Sequence, residues 1–366
     1  MAKIFFKGLN ELRAIAALAV VFHHIELFKS KDFKASLFST PLEYFTAHIG
    51  KNGVYLFFVL SGFLITYLLL QEKNNFKTIN LLKFYFRRIF RIWPLYYLII
   101  LISFLLIPLL ANEFEIFKGT PYFFDRITDP VNYSSSSLLC YLFFLPNLAI
   151  HFNYIVVGSS QTWSVGVEEQ FYILWPLLIL FFKKKYMPFA FLGIIIIMPF
   201  FSYFILPIFS FEYMSIGALG GYTLFYFPDL IKTFFKKRSL IYFLIIGLIL
   251  FFMSIGLVHN YIQSIILAVL FIALILNTVT SDSKHIFSSS AFSFIGKISY
   301  GVYMYHPFLM FLIFPIANRY FEANGIVYNV FLYFFIPGLS ILLSHLSYKY
   351  FELKFIKIKD SKFNTL

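Results

Sequence analysis

Apolar stretches of membrane-spanning length recur along nearly the whole chain and constrain its fold more than any other feature. Of its 366 residues, 60% are hydrophobic and 13% are charged, which excludes a soluble globular domain of this size. About 20 apolar residues wound as an α-helix cross the hydrocarbon core of a bilayer. The sequence therefore predicts an all-α, polytopic membrane bundle of about ten transmembrane helices. The ten stretches are roughly 10–28, 53–71, 92–110, 163–182, 188–206, 212–228, 240–257, 261–278, 298–316 and 330–350.

Basic residues between these stretches predict their orientation. The connection 72–91 carries six Lys or Arg residues against one acid, Glu72, and should lie in the cytoplasm by the positive-inside rule. Alternation from there also places 183–185, 232–238 and the tail after Lys349 in the cytoplasm. Both termini are therefore predicted to be cytoplasmic.

Two segments fit this topology less well. The connection 29–52 is predicted to be external although it carries four lysines. Residues 138–150 are apolar but short, and counting them as a span would invert every later loop. We therefore expect them to form an interfacial or re-entrant piece of the external connection 111–162. No repeat or composition break suggests a second domain, so residues 1–366 are predicted to form one transmembrane domain without an appended soluble domain or a cleavable signal peptide.

Several other classes of protein and site are not expected. A net charge of +13 would suggest nucleic acid in a soluble protein, but here Lys and Arg fill short connections and no nucleic-acid-binding module accompanies them. The single cysteine, Cys140, forbids an intramolecular disulfide. No metal site is expected, because metal-ligating residues do not cluster along the sequence.

The first apolar stretch, ELRAIAALAVVFHH, carries Arg13 and His24 eleven residues apart. That spacing is ~16 Å along a helix and about three turns, so both residues share one face, whereas His23 is turned by about 100° from His24. Ionisable groups within a membrane usually mark function, and an imidazole, with a typical pKa of about 6.5, can act as a general base. In the alternative interpretation Arg13 anchors the helix by reaching the headgroups, and a neighbouring helix satisfies His24.

Arginines also precede the third stretch, in FYFRRIFRIWPLYY. Arg88 and Arg91 are i,i+3 neighbours on one helix face. With Arg13 they would form a cluster at the cytoplasmic mouth, suited to a phosphorylated ligand because guanidinium groups bind phosphate through two donors. The alternative is that arginines before a span serve orientation alone.

The fourth stretch opens with TWSVGVEEQFYILWPLL. Glu168, Phe171, Tyr172 and Trp175 follow i, i+3, i+4, i+7 spacing, so an aromatic face carries Glu168 into the bundle. If the first and fourth helices touch, this carboxylate could orient or polarise His24. In the alternative, Trp163 and the acids form an interfacial belt at the entrance of the span.

Two weaker sites complete the candidates. Ser61 lies mid-span in YLFFVLSGFL, a pattern more typical of close helix packing than of catalysis. Ser299, Tyr300 and His306 lie in the ninth stretch, in ISYGVYMYHPF, where His306 either lines a cavity or caps a kinked turn. His345 is interpreted as structural.

In this order, the segments resemble acyltransferase family 3 of integral membrane proteins. The matching pieces are LNELRAIAALAVVFHH, the SGF of the second stretch, RRIFR, WSVGVEEQFY and SYGVYMYHP, and they extend from end to end of the chain. The resemblance implies a ten-span fold and an acyl donor, usually acetyl-CoA, bound from the cytoplasm.

The family's patterns fall on individual residues of this chain. The Arg-x10-His pattern falls on Arg13 and His24, the RxxR pattern falls on Arg88 and Arg91, and the WSxxxE pattern falls on Trp163 and Glu168. The sequence departs from the family in having the adjacent histidine, His23, and in having alanine at position 14, where glycine is frequent.

The resemblance and the residues together predict transmembrane O-acyl transfer. In this hypothesis Arg13, Arg88 and Arg91 hold the phosphates of acetyl-CoA, and His24, oriented by Glu168, deprotonates a hydroxyl of a cell-surface polysaccharide or lipid-linked sugar. Transfer proceeds directly or through an enzyme group, in the cell inner or plasma membrane. The alternative is a transporter or flippase for a polyprenyl-linked sugar, whose intramembrane charges bind substrate or relay protons.

Overall fold

Ten long helices make up most of the part of the chain that the structure describes. The computed structural model describes residues 6–204, 209–235, 238–256, 260–280, 289–323 and 325–363, and this part of the chain contains helices and turns but no strand. Each predicted span overlaps one of the long helices. They are α1 (Leu9–Lys31), α2 (Glu43–Phe76), α3 (Leu81–Leu101), α4 (Trp163–Phe181), α5 (Met187–Phe204), α6 (Phe211–Tyr226), α7 (Arg238–Ser254), α8 (Asn260–Thr280), α9 (Ser299–Tyr320) and α10 (Ile326–Ser347).

Seven helical stretches of the described residues are long and apolar enough to cross a membrane. The chain is therefore an all-α, multi-pass membrane protein, as the sequence predicts. The number of spans and the cytoplasmic position of the termini stay predictions. The seven stretches are Glu43–Phe76, Leu81–Glu113, Ser160–Phe181, Lys184–Ser202, Tyr261–Thr280, Ser299–Tyr320 and Ile326–Lys362.

Short helices connect or extend the long ones. The π-helical turns Ile102–Leu106 and Tyr348–Glu352 extend α3 and α10 into Ile107–Glu113 and Leu353–Lys362. The other short helices lie between the long ones. They are Leu37–Ser39, Glu115–Gly119, Pro121–Thr128, Ser135–Leu142, Pro146–His151, Ser160–Thr162, Lys184–Tyr186, Pro228–Phe234 and Ser290–Lys297.

The apolar segment 138–150 does not form a membrane-spanning helix. It is divided between the short helices Ser135–Leu142 and Pro146–His151, each far shorter than a span. The segment folds back onto the bundle, where the Tyr96 hydroxyl of α3 donates to the Tyr141 carbonyl at 2.7 Å. The side chains of Asn147 and Gln170 exchange hydrogen bonds of 2.9 and 3.1 Å, which tie the segment to α4.

Helices α2 and α6 pack backbone against backbone. A Cβ atom at Gly62 would overlap the carbonyl group of Met214, and one at Gly217 would overlap the carbonyl of Val59. Small residues permit this approach between membrane helices. The packing holds α2 in place, and α2 carries Ser61 next to Gly62 on the wall of the candidate site.

Candidate functional site

A cavity of about 120 Å³ lies where α1, α2, α3, α4 and α9 meet. Eight of the eleven predicted site residues line it, whereas His24, Trp163 and His306 do not. The chain thus brings together side chains that are up to 287 positions apart in sequence (from 13 to 300). The eight are Arg13, Ser61, Arg88, Arg91, Glu168, Tyr172, Ser299 and Tyr300.

The three arginines on the cavity wall make no ion pair with any carboxylate of the described residues. Arg91 is exposed, whereas Arg13 and Arg88 are half-buried. The Arg88 guanidinium lies 5.3 Å from the centre of the Tyr172 ring, and its Nε is buried without a hydrogen-bond partner. Positive charge at such depth is costly unless an anion accompanies it, so the cavity is suited to a negatively charged ligand.

Glu168 lies in the same cavity, and its two carboxylate oxygens accept hydrogen bonds from hydroxyl groups. Ser61 donates to Oε1 at 2.8 Å and Tyr172 donates to Oε2 at 2.9 Å. The prediction that Glu168 orients His24 is therefore wrong. Glu168 shares the depth of Arg13, and His24 lies eleven residues further along α1, a rise of about 16 Å.

The aromatic face of α4 is confirmed. Phe171, Tyr172 and Trp175 are buried, and the rings of Phe171 and Trp175 stack with centroids 4.3 Å apart. The Trp175 indole donates to the Thr66 hydroxyl of α2 at 2.8 Å. This packing against α2 turns Glu168 into the cavity.

Trp163 and Glu169 contact neighbouring helices of the bundle. The half-buried Trp163 ring packs edge-on against Phe58 of α2, with centroids 6.0 Å apart. Glu169 is buried and accepts a hydrogen bond from the Trp93 indole at 3.0 Å. The interfacial interpretation stays an alternative, since Trp163 lies close to the beginning of the apolar stretch Ser160–Phe181.

His24 contacts a second histidine on α9. Its Nδ1 lies 2.7 Å from Nε2 of His306, and the two rings stack with centroids 5.0 Å apart. His23 instead contacts α2, with its Nδ1 2.8 Å from the Thr46 carbonyl oxygen. His24 is thus the histidine on the α9 face of α1, as the spacing from Arg13 predicts, and it has the neighbouring-helix partner that the structural interpretation requires.

One strip of α9 connects the cavity with this histidine pair. Ser299 and Tyr303 line the cavity, and the Tyr303 ring lies 5.9 Å from the His306 ring. The Tyr303 hydroxyl lies 2.7 Å from that of Ser164 and donates to the Gln161 carbonyl at 2.8 Å. Sequence reasoning missed Tyr303 and Ser164, although the spacing of 299, 303 and 306 (i, i+4, i+7) signals a shared face.

A larger cavity, about 190 Å³, lies between α1, α2, α7 and α8. No titratable side chain lines it, so it offers no group for acid–base chemistry. Of these two cavities, the arginine-lined one has ionisable side chains on its wall.

Comparison with known proteins places the chain among membrane acyltransferases. The model of the acyltransferase domain family matches residues 6–345. A Staphylococcus aureus (strain COL) protein named "Putative O-acetyltransferase" is 28% identical over 96% of this chain and 58% of its own length. The O-acetyltransferase OatA of S. aureus (strain NCTC 8325) is 25% identical over 95% of this chain and 57% of its own.

The chain spans 57–58% of the length of these relatives. No solved structure matches it. Since the family model covers nearly all of the chain and the fold is a multi-pass helical bundle, the protein belongs to acyltransferase family 3.

Proposed function

We propose that this protein is a membrane O-acyltransferase. It moves an acyl group, most simply acetyl, from cytoplasmic acyl-CoA to a hydroxyl of a cell-surface polysaccharide or lipid-linked sugar, in the cell inner or plasma membrane. The observation that carries the proposal is the cavity with three unpaired arginines, in a chain of this family. Family membership favours this function over the transporter alternative.

The donor is recognised through its anionic phosphates. Guanidinium groups bind phosphate through paired, charge-assisted hydrogen bonds, and Arg88 Nε has a free donor. A cavity of about 120 Å³ is smaller than pockets that enclose drug-sized ligands, which measure about 300–1,000 Å³. It therefore takes a phosphate and the adjoining part of the pantetheine arm, while the rest of the nucleotide lies outside, near the exposed Arg91. The thioester end of the arm extends beyond the cavity along α9 towards His24.

His24 then acts as the general base. A nitrogen of its ring takes the proton of the acceptor hydroxyl while the hydroxyl oxygen attacks the thioester carbonyl. The carbon–sulfur bond breaks, CoA leaves as the thiolate, and the proton on His24 passes to it. Glu168 does not act on His24. It holds Ser61 and Tyr172 on the cavity wall and offsets part of the arginine charge.

The test is acyl transfer by the His24→Ala variant. Membranes containing the variant should transfer no label from [¹⁴C]acetyl-CoA to alkali-labile esters of cell-surface glycan, while acetyl-CoA still raises its melting temperature. The matched control is His345→Leu, which removes a histidine of α10 that does not line the cavity. Normal transfer by folded His24→Ala would exclude His24 as the base.

A further inference from the structure

We infer that His306 is a positioning residue that holds His24 in one tautomer, with the proton on Nδ1 and the lone pair on Nε2. The inference rests on the proposed function, because it names the nitrogen of His24 that takes the acceptor's proton. It follows from three polar groups in contact on α1 and α9, which are the Val302 carbonyl, the His306 ring and the His24 ring.

The first of these polar groups is a backbone carbonyl. Nδ1 of His306 lies 3.3 Å from the carbonyl oxygen of Val302, one turn earlier on α9. A carbonyl oxygen can only accept, so Nδ1 of His306 carries a proton. In a neutral imidazole the other nitrogen is then an acceptor, and Nε2 of His306 is therefore unprotonated.

The second link is the contact between the two rings. Nε2 of His306 lies 2.7 Å from Nδ1 of His24, a distance at which one nitrogen must donate to the other. Since Nε2 of His306 is the acceptor, Nδ1 of His24 is the donor. A neutral His24 therefore carries its single proton on Nδ1, and its Nε2 has a free lone pair that can accept a proton.

Burial and the Val302 carbonyl both disfavour the reverse arrangement. His306 is fully buried at 0% exposure, among α9 residues that are apolar or aromatic. Donation in the other direction would require either protons on both nitrogens of His306, and hence a buried imidazolium with no described carboxylate bonded to it, or an Nδ1 lone pair that faces the Val302 carbonyl oxygen at 3.3 Å. Such an uncompensated charge in a membrane bundle is strongly unfavourable.

The arrangement also favours the reaction. When Nε2 of His24 takes a proton, the ring becomes an imidazolium whose Nδ1–H still donates to His306. An acceptor placed behind a catalytic histidine both selects its tautomer and stabilises the charged form. Without His306 the ring of His24 is free to place its proton on Nε2, where it cannot act as a base.

The first experiment reads the tautomer directly. The full-length protein with ¹⁵N-labelled histidine is studied in lipid nanodiscs by solid-state NMR, and the His24 signals are assigned by their loss in His24→Gln. A bare ring nitrogen and a protonated one have well-separated ¹⁵N shifts. We expect a protonated Nδ1 and a bare Nε2 in His24, and the opposite pattern in wild-type protein overturns the inference.

The second experiment separates positioning from folding. His306→Gln places an amide oxygen near the former Nε2 and keeps an acceptor for His24, whereas His306→Leu fills a similar volume without one. We expect His306→Leu to lower kcat by about 10–100-fold with the KM for acetyl-CoA unchanged, and His306→Gln to restore most of that loss. His345→Leu on α10 is the matched histidine control and should retain full kcat.

The outcomes separate the inference from the function it rests on. Inactive His24→Ala with fully active, folded His306→Leu overturns the inference and leaves the proposed function standing. Active, folded His24→Ala excludes His24 as the base and overturns the inference with it, whereas absence of acyl transfer by the folded wild-type protein overturns the proposed function. Equal loss of kcat in the Gln and Leu variants, with normal melting temperatures, also counts against a positioning role.

Discussion

Helix α1 carries charged groups towards both of its ends, and the two sets of groups differ in how they are paired. The Lys29 cluster consists of Glu26, Lys29, Asn329 and Tyr333. Lys29 Nζ donates to Glu26 Oε1 and to Asn329 Oδ1, each at 2.8 Å, and the Glu26 carboxylate also accepts from the Tyr333 hydroxyl. Glu26 and Lys29 are almost fully buried, at 0% and 4% exposure.

The Arg13 cluster consists of Arg13, Arg88, Arg91 and Glu168. It has three cations and one carboxylate, and that carboxylate is hydrogen-bonded to hydroxyl groups. A buried pair with its hydrogen bonds complete serves structure, because either partner alone would be left costly and uncompensated. Charges left without a partner beside a cavity instead serve a ligand. The difference supports the proposal that the Arg13 end of α1 binds the acyl donor.

The largest effect on stability should come from opening the Lys29 cluster. Lys29→Met leaves the buried Glu26 carboxylate without its counter-ion, which should cost about 3 kcal/mol of unfolding free energy. The measurement is the melting temperature in detergent, with the KM for acetyl-CoA expected to stay unchanged. Lys118→Met is the control, because its i,i+3 pair with Glu115 is exposed and should contribute less than about 1 kcal/mol. An unchanged melting temperature in Lys29→Met would show that the cluster is not structural.

The opposite pattern is expected for the Arg13 cluster. Arg88→Met keeps an unbranched side chain but removes the guanidinium, which lies 5.6 Å from the centre of the Phe84 ring. The affinity for acetyl-CoA should therefore fall about 100-fold, a loss typical of a buried charge pair. The ligand-free melting temperature should stay equal or rise, because an unpaired charge is removed. Thermal shift with and without acetyl-CoA measures both. Arg319→Met, at the exposed end of α9, is the matched control, and a retained ligand-induced shift in Arg88→Met would refute phosphate binding by this cluster.

A smaller effect should distinguish the two arginines of α3. Lysine keeps the charge but has neither the planar fork nor the ring stacking of arginine. Arg88→Lys should therefore raise the KM for acetyl-CoA about tenfold, whereas Arg91→Lys, at an exposed position, should raise it by about threefold or less. Steady-state kinetics on both variants test the difference. Equal effects would mean that both guanidinium groups bind in the same way.

The smallest effect is expected at Ser61. Ser61→Ala removes one of the two hydrogen bonds to Glu168, and the bond from Tyr172 stays. One such bond contributes about 1 kcal/mol, so kcat/KM should fall about fivefold. Ser254→Ala, whose exposed hydroxyl bonds only the backbone of its own helix, should have no effect. A loss of several hundredfold in Ser61→Ala would instead indicate a direct chemical role for that hydroxyl.

Local pattern predicted much of this molecule. Hydrophobic length predicts the long helices, and the 3.6-residue period correctly places His24 rather than His23 on the face that continues from Arg13. The same period predicts the aromatic face of α4 that turns Glu168 inward. Arginine spacing on α3 predicts two guanidinium groups on one face, and both line the cavity with Arg13.

The partners of those residues came only from the tertiary structure. The sequence alone determined which face each helix presents, because that depends on residues within a few turns of each other. Which residues of two neighbouring helices lie side by side depends on where each helix begins. The turn before Trp163 and the folded-back segment packed on Gln170 place Glu168 beside Ser61 rather than His24. The contact between His24 and His306 joins residues 282 positions apart, and no local period encodes such a distance.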